Sequence, residues 1–147
     1  MDTSNNTKTY ELNIPAELDR LAQVLEFIDT HLEEHDCPPA IQMQIDISVE
    51  EIFVNIAHYA YPGKSGDADI RLALEKEDSG KLAMTVTFRD HGLFFDPLDH
   101  ADPDITASAE ERPIGGLGIM MVKKYMDNMS YEYKDGYNIL TMKKYLR

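Results

Sequence analysis

The sequence is poor in cysteine, in basic residues and in long apolar segments, and it contains no tryptophan. Its one cysteine, Cys37, excludes an intrachain disulfide, and without a cluster of cysteines and histidines we expect no structural zinc site. No apolar run approaches the roughly 18 residues that cross a bilayer, so we predict no membrane-spanning segment. The N-terminus is polar and lacks the hydrophobic core of a signal peptide, which predicts a cytoplasmic protein.

Basic residues are scarce, because 14 Lys and Arg stand against 27 Asp and Glu, which gives a net charge of −13. Nucleic acids are bound through basic surfaces, so we expect no direct nucleic-acid binding. The imbalance is uneven along the chain. Residues 1–60 carry 2 basic and 12 acidic groups (net −10), residues 61–114 carry 6 and 12 (net −6), and residues 115–147 carry 6 and 3 (net +3).

The length and the hydropathy pattern predict one folded domain. Residues 1–7 are polar and are predicted to be disordered, which leaves residues 8–147 as the domain. Apolar residues recur with strand or helix periodicity in eight segments, and the order is strand Lys8–Ile14, helix Pro15–His35, helix Ala40–Ala60, strands Ala68–Glu77 and Lys81–Asp90, helix Leu117–Asn128, and strands Met129–Tyr133 and Tyr137–Tyr145.

A loop of more than twenty residues, Gly92–Ile114, separates the third strand from the third helix. Loops of this length inside a compact domain are often functional lids. The order β-αα-ββ-loop-α-ββ predicts an α+β fold. We expect a two-layer α/β sandwich, with a mixed, mostly antiparallel sheet that carries the helices on one face.

The second predicted helix carries a polar stripe. At about 100° per residue, Glu51, Asn55 and His58 share one face, opposite the apolar positions. Taken alone, the stripe fits the solvated surface of an amphipathic helix better than the wall of a site. As a site wall, Glu51 would act as a base or an orienting group, and the Asn55 amide oxygen would suit Mg²⁺. His58 is expected at the helix surface rather than as a ligand.

The end of the third predicted strand carries the motif Asp90-His91-Gly92. A carboxylate at this position can accept a hydrogen bond from an exocyclic amine. A glycine two residues later lets a flat ligand approach the backbone. A plain turn uses the same residue types, and the motif alone does not separate the two interpretations.

Glycines cluster at the start of the third predicted helix, in Gly115-Gly116-Leu117-Gly118. Such a helix start exposes amide N–H groups at the positive end of the helix dipole, which suits a phosphate; a flexible hinge is the alternative. No Gly-Lys-Ser/Thr follows, which excludes a Walker loop. The motif also lacks the parallel βαβ setting of the dinucleotide fingerprint.

In this order the motifs resemble the Bergerat-type (GHKL) ATP-binding fold of histidine-kinase catalytic domains, gyrase-type ATPases and anti-sigma-factor serine kinases. Glu51–Asn55 is similar to the N-box of that family, Asp90–Gly92 to its adenine-binding box, and Gly115–Gly118 to its second glycine box. The anti-sigma-factor kinase pattern Asp-x-Gly-x-x-Phe-Asp-Pro is matched by Asp90, Gly92, Phe95, Asp96 and Pro97. The resemblance covers about residues 8–147.

The resemblance implies a role for each matched residue. Asn55 would ligate Mg²⁺, Asp90 would accept a hydrogen bond from the adenine amine, and Gly92 would let the base dock. Glu51 would be the general base that takes the proton of an attacking Ser or Thr hydroxyl. Lid residues from Asp99 to Pro113 would close over the phosphates, with Arg112 either at the γ-phosphate or an ordinary surface arginine. The remaining expected nucleotide-site residues are Asp96, Gly115, Gly116, Leu117 and Gly118.

Three functions remain open at this point. The resemblance implies an ATP- and Mg²⁺-dependent serine/threonine kinase, a homodimer, that phosphorylates a STAS-type anti-sigma antagonist and sequesters a sigma factor. The alternative is a nucleotide-gated partner-switch protein that transfers no phosphate. A structural α+β adaptor, in which the glycines only form turns, is the third. Saturable Mg-ATP binding separates the third from the others, and phosphate transfer separates the first two.

Overall fold

A computed structural model describes residues 7–99 and 116–146, and within these ranges the chain forms five strands and three α-helices. Of the residues 1–7 that were predicted to be disordered, residues 1–6 lie outside the described residues and Thr7 begins a strand. Most of the predicted lid, with Arg112 and Gly115, also lies outside the described residues. The elements are β1 (Thr7–Pro15), α1 (Leu21–Glu34), α2 (Pro39–Tyr59), β2 (Asp67–Lys76), β3 (Leu82–Asp90), α3 (Gly116–Tyr125), β4 (Asn128–Lys134) and β5 (Tyr137–Tyr145).

The strands form one sheet in the order β1-β2-β3-β5-β4, and all four neighbouring pairs are antiparallel. The predicted α+β fold, with helices against one face of a sheet, is confirmed. The sheet was expected to be mixed, but within the described residues every strand pair is antiparallel. The turn between β4 and β5 is tight. Its central residues Asp135 and Gly136 have φ values of 54° and 83°, the left-handed conformations that match the twist of a two-residue hairpin.

One hydrophobic core lies between the helices and the inner face of the sheet. In β2, buried and partly exposed residues alternate, so that Ile70 and Leu72 face the core whereas Asp69 and Arg71 face away. The helices contribute large side chains to the same core, among them Val24, Ile28 and Leu32 from α1, Ile45, Val49, Ile52 and Phe53 from α2, and Ile119 and Val122 from α3. No helix in the described ranges is long and apolar enough to cross a membrane.

Two predicted helix boundaries differ from the structure. The first helix does not start at Pro15, because a 3₁₀ turn over Leu18–Arg20 precedes α1. The third helix ends at Tyr125 rather than at Asn128. Its end is set by the sheet, since the backbone N–H of Asp127 donates to the carbonyl of Lys143 at 2.9 Å and the chain enters β4.

Candidate active site

Two of the three residues of the polar stripe of α2 are withdrawn from solvent. Asn55 is only 4% exposed, and Glu51 is partly buried. A Cβ atom built on Gly118 would lie 2.0 Å from Cδ of Glu51, so the first turn of α3 lies directly against this carboxylate. The interpretation of the stripe as a solvated surface is therefore wrong for Asn55, because the pattern of one helix does not show what else in the chain packs against it. His58, on the same stripe, is exposed as predicted.

Glu51 and Asn55 are joined by hydrogen bonds within α2. The Asn55 Nδ2 donates to the backbone carbonyl of Glu51 at 2.9 Å and to its Oε1 at 3.1 Å. Burial raises the pKa of the Glu51 carboxyl, the bond from Asn55 lowers it, and the charge of Glu50 raises it further, with a net rise. A carboxyl with a raised pKa beside the start of a helix is a candidate general base.

The residues at this position fit a hard cation. Both hydrogen bonds that the Asn55 side chain makes within the described part of the chain use its nitrogen, so Oδ1 is the amide atom that can serve as a ligand. Amide and carboxylate oxygens are the protein ligands that Mg²⁺ prefers, together with water and substrate phosphates. Within residues 7–99 and 116–146, no three His, Cys, Asp or Glu side chains cluster in a metal-binding arrangement.

Asp90 lies across the pocket from α2, at the end of β3. It is 6% exposed, and its Oδ1 accepts hydrogen bonds from the backbone N–H of Gly92 at 2.9 Å and from Nδ2 of Asn138 at 3.0 Å. Burial raises the pKa of the Asp90 carboxyl, and these two hydrogen bonds lower it in part. Both bonds use one carboxylate oxygen, so Oδ2 is the atom that can receive a donor from a ligand.

Asn138, which was not among the predicted site residues, connects the segments at this end of the pocket through its hydrogen bonds. Its Nδ2 also donates to the carbonyl of Leu93 at 2.8 Å. Its Oδ1 accepts the backbone N–H of Phe95 at 3.2 Å and the hydroxyl of Tyr131. Asn138 lies directly opposite Asp90 in the β3–β5 pairing. That position would identify it as a site residue, but it can be read only once the register of the two strands is known.

Gly92 and Asp96 have structural roles in the segment that follows β3. A Cβ atom on Gly92 would lie 2.2 Å from the carbonyl oxygen of Ala60, and the N–H of Leu93 donates to the same oxygen at 2.9 Å. The glycine therefore lets the segment pack directly on the end of α2. Asp96 Oδ1 accepts the N–H of Leu98 at 2.9 Å, which caps the 3₁₀ turn over Pro97–Asp99.

A narrow, mainly apolar pocket connects Asn55 with Asp90. Its volume is about 30 Å³, and its lining includes Ile52, Ile56, Tyr59, Phe95, Tyr131 and Leu140. The rings of Tyr59 and Phe95 stack with centroids 5.2 Å apart. Apolar walls with one buried carboxylate suit a flat heteroaromatic ring that carries a donor group. A heteroaromatic ring is larger than this volume, which holds only water-sized molecules, so the pocket would have to widen to admit the ring.

The structure brings part of the predicted site together. Glu51 and Gly118 are in contact where α2 meets α3, and Asn55 is hydrogen-bonded to Glu51. Gly92 packs at the C-terminal end of α2, next to Asp90, and Asp96 caps the turn that follows. Gly116 and Leu117 begin α3, and Arg112 and Gly115 lie outside the described ranges.

One named protein and one solved structure resemble this chain over most of its length. The chain is 26% identical over 141 residues to the serine/threonine-protein kinase BtrW of Bordetella bronchiseptica, across 95% of this chain and 94% of BtrW. The structure of the SiaB-SiaC complex from Pseudomonas aeruginosa contains a chain that superposes with a TM-score of 0.55 at 16% identity, over 97% of this chain and 92% of that one.

The structure of the RsbU and RsbW domains of Rv1364c from Mycobacterium tuberculosis superposes with a TM-score of 0.61 at 15% identity. The match covers 95% of this chain and 33% of the other, so this chain spans about a third of that protein. At such identities the superpositions show the fold alone. Residues 14–144 match the family model described as histidine kinase-like ATPase domain. The resemblance predicted from the motifs is confirmed, and the chain belongs to the family of histidine kinase-like ATPase domains.

Proposed function

We propose that the protein is an ATP- and Mg²⁺-dependent serine/threonine kinase that works by partner switching. In this proposal it phosphorylates a STAS-domain antagonist of an anti-sigma factor and sequesters a sigma factor. The observation that carries the proposal is the arrangement of Glu51 and Asn55 against Gly118 at the start of α3. Membership of the ATPase family and similarity to BtrW, a named serine/threonine kinase, support it.

The nucleotide would lie along α2, with its base near Asp90 and its phosphates near α3. Oδ2 of Asp90 would accept the exocyclic amine of adenine, between the apolar walls of the pocket. The backbone N–H groups at the Gly116 end of α3 would donate to phosphate oxygens. Mg²⁺, bound through Asn55 Oδ1, would neutralise charge on the transferred phosphoryl group.

Glu51 would take the proton from the attacking Ser or Thr hydroxyl. Its raised pKa makes the ionised carboxylate a stronger base than an ordinary glutamate, and the hydrogen bond from Asn55 orients it. The hydroxyl oxygen would then attack the γ-phosphorus while the bond to the β,γ-bridging oxygen breaks and ADP leaves. Most of the rate enhancement would come from positioning and from charge neutralisation.

The partners follow from the family resemblance. A STAS-domain protein would supply the hydroxyl, and a sigma factor would be the sequestered protein. A homodimer and a cytoplasmic location belong to the same proposal. Transcription would thus be regulated through protein contacts, which agrees with the net charge of −13 that argues against direct nucleic-acid binding.

The decisive experiment combines Mg-ATP titration with transfer of labelled phosphate to a STAS protein encoded nearby. Glu51→Gln should keep Mg-ATP affinity within about twofold and lose transfer by about 100-fold or more, because only the base is removed. Asn55→Ala should weaken Mg-ATP binding by about 10-fold or more. Glu50→Gln, next to the proposed base but exposed, is the matched control and should behave like the wild type at pH 8.

The outcomes separate the functions. Saturable Mg-ATP binding without transfer in the wild type would replace the kinase by the nucleotide-gated binding protein. Absence of saturable binding would refute both nucleotide-dependent functions. Full transfer by Glu51→Gln would refute the assignment of the base alone.

A further inference from the structure

Tyr61, two residues beyond the end of α2, bridges two segments that are distant in sequence. Its hydroxyl donates to the carbonyl of Asp67, at the start of β2, at 2.7 Å. The same oxygen accepts the backbone N–H of His91 at 2.9 Å. The ring lies where a Cβ atom on Gly66 would be only 2.3 Å away, so its position is also fixed from the side.

The segment Asp90–Leu93 is therefore held against the end of α2 at consecutive residues. The Tyr61 hydroxyl binds the N–H of His91, and the Ala60 carbonyl binds the N–H of Leu93. Between them, Gly92 packs on Ala60 so closely that no side chain fits. Burial and the nearby carboxylates of Asp90, Asp67 and Asp69 raise the pKa of Tyr61, whereas the bond from His91 lowers it; with a net rise the hydroxyl stays protonated at neutral pH.

This contact connects the two ends of the proposed nucleotide site. Asn55 and Glu51 lie on α2, and Ala60, just past the end of the helix, follows Asn55 by five residue steps, a rise of about 7.5 Å. Asp90 belongs to the segment that Ala60 and Tyr61 hold. A ligand that contacts Asp90 with its base and Asn55 through its phosphates needs these two groups at a fixed separation.

We propose that Tyr61 is a positioning residue, whose hydroxyl fixes the segment Asp90–Leu93 relative to Asn55 and thereby sets the affinity for the nucleotide. Tyr61 does not line the pocket between Asn55 and Asp90. The proposal rests on the proposed nucleotide-binding function. The contact itself exists without any ligand and can be tested in its absence.

The test compares Tyr61→Phe with Tyr10→Phe, each of which removes one hydroxyl and keeps the ring. The Tyr10 hydroxyl is hydrogen-bonded to His35 at 3.1 Å, between β1 and the end of α1, and serves as the control. In the nucleotide-free protein, amide hydrogen exchange at His91 should become about 10-fold faster in Tyr61→Phe and stay unchanged in Tyr10→Phe. Mg-ATP should bind Tyr61→Phe about 5- to 10-fold more weakly, with phosphate transfer at saturating Mg-ATP within about twofold of the wild type.

A second variant keeps the hydroxyl and displaces it. In Gly66→Ala the new methyl group must push the Tyr61 ring aside, so exchange at His91 and the Mg-ATP dissociation constant should both rise as in Tyr61→Phe. Unchanged exchange at His91 in both variants, or a Mg-ATP affinity equal to that of Tyr10→Phe, would overturn the proposal. If the wild type binds no Mg-ATP, the proposed nucleotide-binding function is refuted, and with it the predicted effect of Tyr61 on affinity. The hydrogen-exchange data then still decide whether Tyr61 fixes the segment Asp90–Leu93.

Discussion

The carboxylate of Asp90 and the side-chain amide of Asn138 form a buried hydrogen bond between directly paired residues of β3 and β5. Each residue is 6% exposed. The amide of Asn138 makes four hydrogen bonds, which is its full capacity, and these join β3, β4, β5 and the segment up to Phe95. One side chain thus fixes both the orientation of the carboxylate and the shape of the pocket edge.

Replacing Asn138 tests its structural role. Asn138→Ala should lower the free energy of unfolding by about 2–3 kcal/mol, because it removes four hydrogen bonds at a buried position. One of them is the bond to the Asp90 carboxylate, which, within the described residues, then keeps only its bond from the Gly92 N–H. The substitution should also raise the pKa of Asp90 further, since the bond from Asn138 lowers that pKa. Urea unfolding measures the first effect, and carboxyl NMR titration the second.

The control lies on the same strand. Thr141 is partly exposed on the other face of β5, where its hydroxyl has a 3.4 Å contact with Thr87. Thr141→Ala should cost less than about 1 kcal/mol. Equal costs for the two variants would mean that the hydrogen bonds of Asn138 add nothing beyond its strand position.

Gly118→Ala tests how closely the first turn of α3 approaches the Glu51 carboxyl. In an exposed helix, Gly→Ala stabilises by about 1 kcal/mol. Here the new methyl group would overlap the Glu51 carboxyl, which is the end of a flexible side chain and has to move aside. This movement should offset the gain in helix propensity, so Gly118→Ala should leave the free energy of unfolding within about 1 kcal/mol of the wild type. In the Glu51→Ala background the overlap is absent, and the same change should give the full gain of about 1 kcal/mol. Thermal unfolding measures both effects, and equal effects in the two backgrounds would show that the carboxyl does not restrict this position.

The element pattern could be predicted from the sequence because alternation and helical spacing report which side of a strand or helix is buried. The contact between Gly118 and Glu51 could not. Gly118 was predicted to lie near a phosphate, and in the structure its nearest neighbour is the Glu51 carboxyl. This contact depends on how closely two helices pack, which the sequence pattern does not report. The interpretation of Asn55 as part of a solvated surface was wrong because the pattern of one helix does not report what packs against it. Asn138 was missed because an isolated asparagine in a strand has no periodic signal, and only the register sets it opposite Asp90.

A pair of carboxyl groups at the contact of α1 and α2 makes stability depend on pH. Burial, followed by the hydrogen bond and the charge of Asp29 and the charges of Glu33 and Glu50, raises the pKa of Asp46 to about 8. The Oδ1 atoms of both Asp29 and Asp46 are buried without a hydrogen-bond partner. The folded protein therefore keeps this proton up to about pH 8, whereas in the unfolded chain the carboxyl loses it near the ordinary aspartate pKa of 3.8. This contribution to stability is fully present below pH 3.8 and is lost as pH rises towards about 8.

Asp46→Asn should remove most of that dependence. The neutral amide can still donate to Asp29 and carries no charge at high pH. At pH 8.5 the variant should be about 1–2 kcal/mol more stable than the wild type, a figure reduced for partial solvent screening, and at pH 4 the difference should be small. Denaturant unfolding across this range provides the measurement. Glu26→Gln, an exposed change on α1, is the control, and the same flattening there would refute the assignment to Asp46.

The pH dependence of phosphate transfer should report Glu51, if Glu51 is the base. Because its pKa is raised, mainly by burial, the acid limb of the rate at saturating Mg-ATP should lie above the ordinary glutamate value of 4.5. The exposed neighbour Glu50 raises this pKa through its charge. Glu50→Gln should therefore shift the acid limb to lower pH and leave the plateau rate unchanged. A shift to higher pH, or an equal shift in Glu26→Gln, would show that a different group controls the limb.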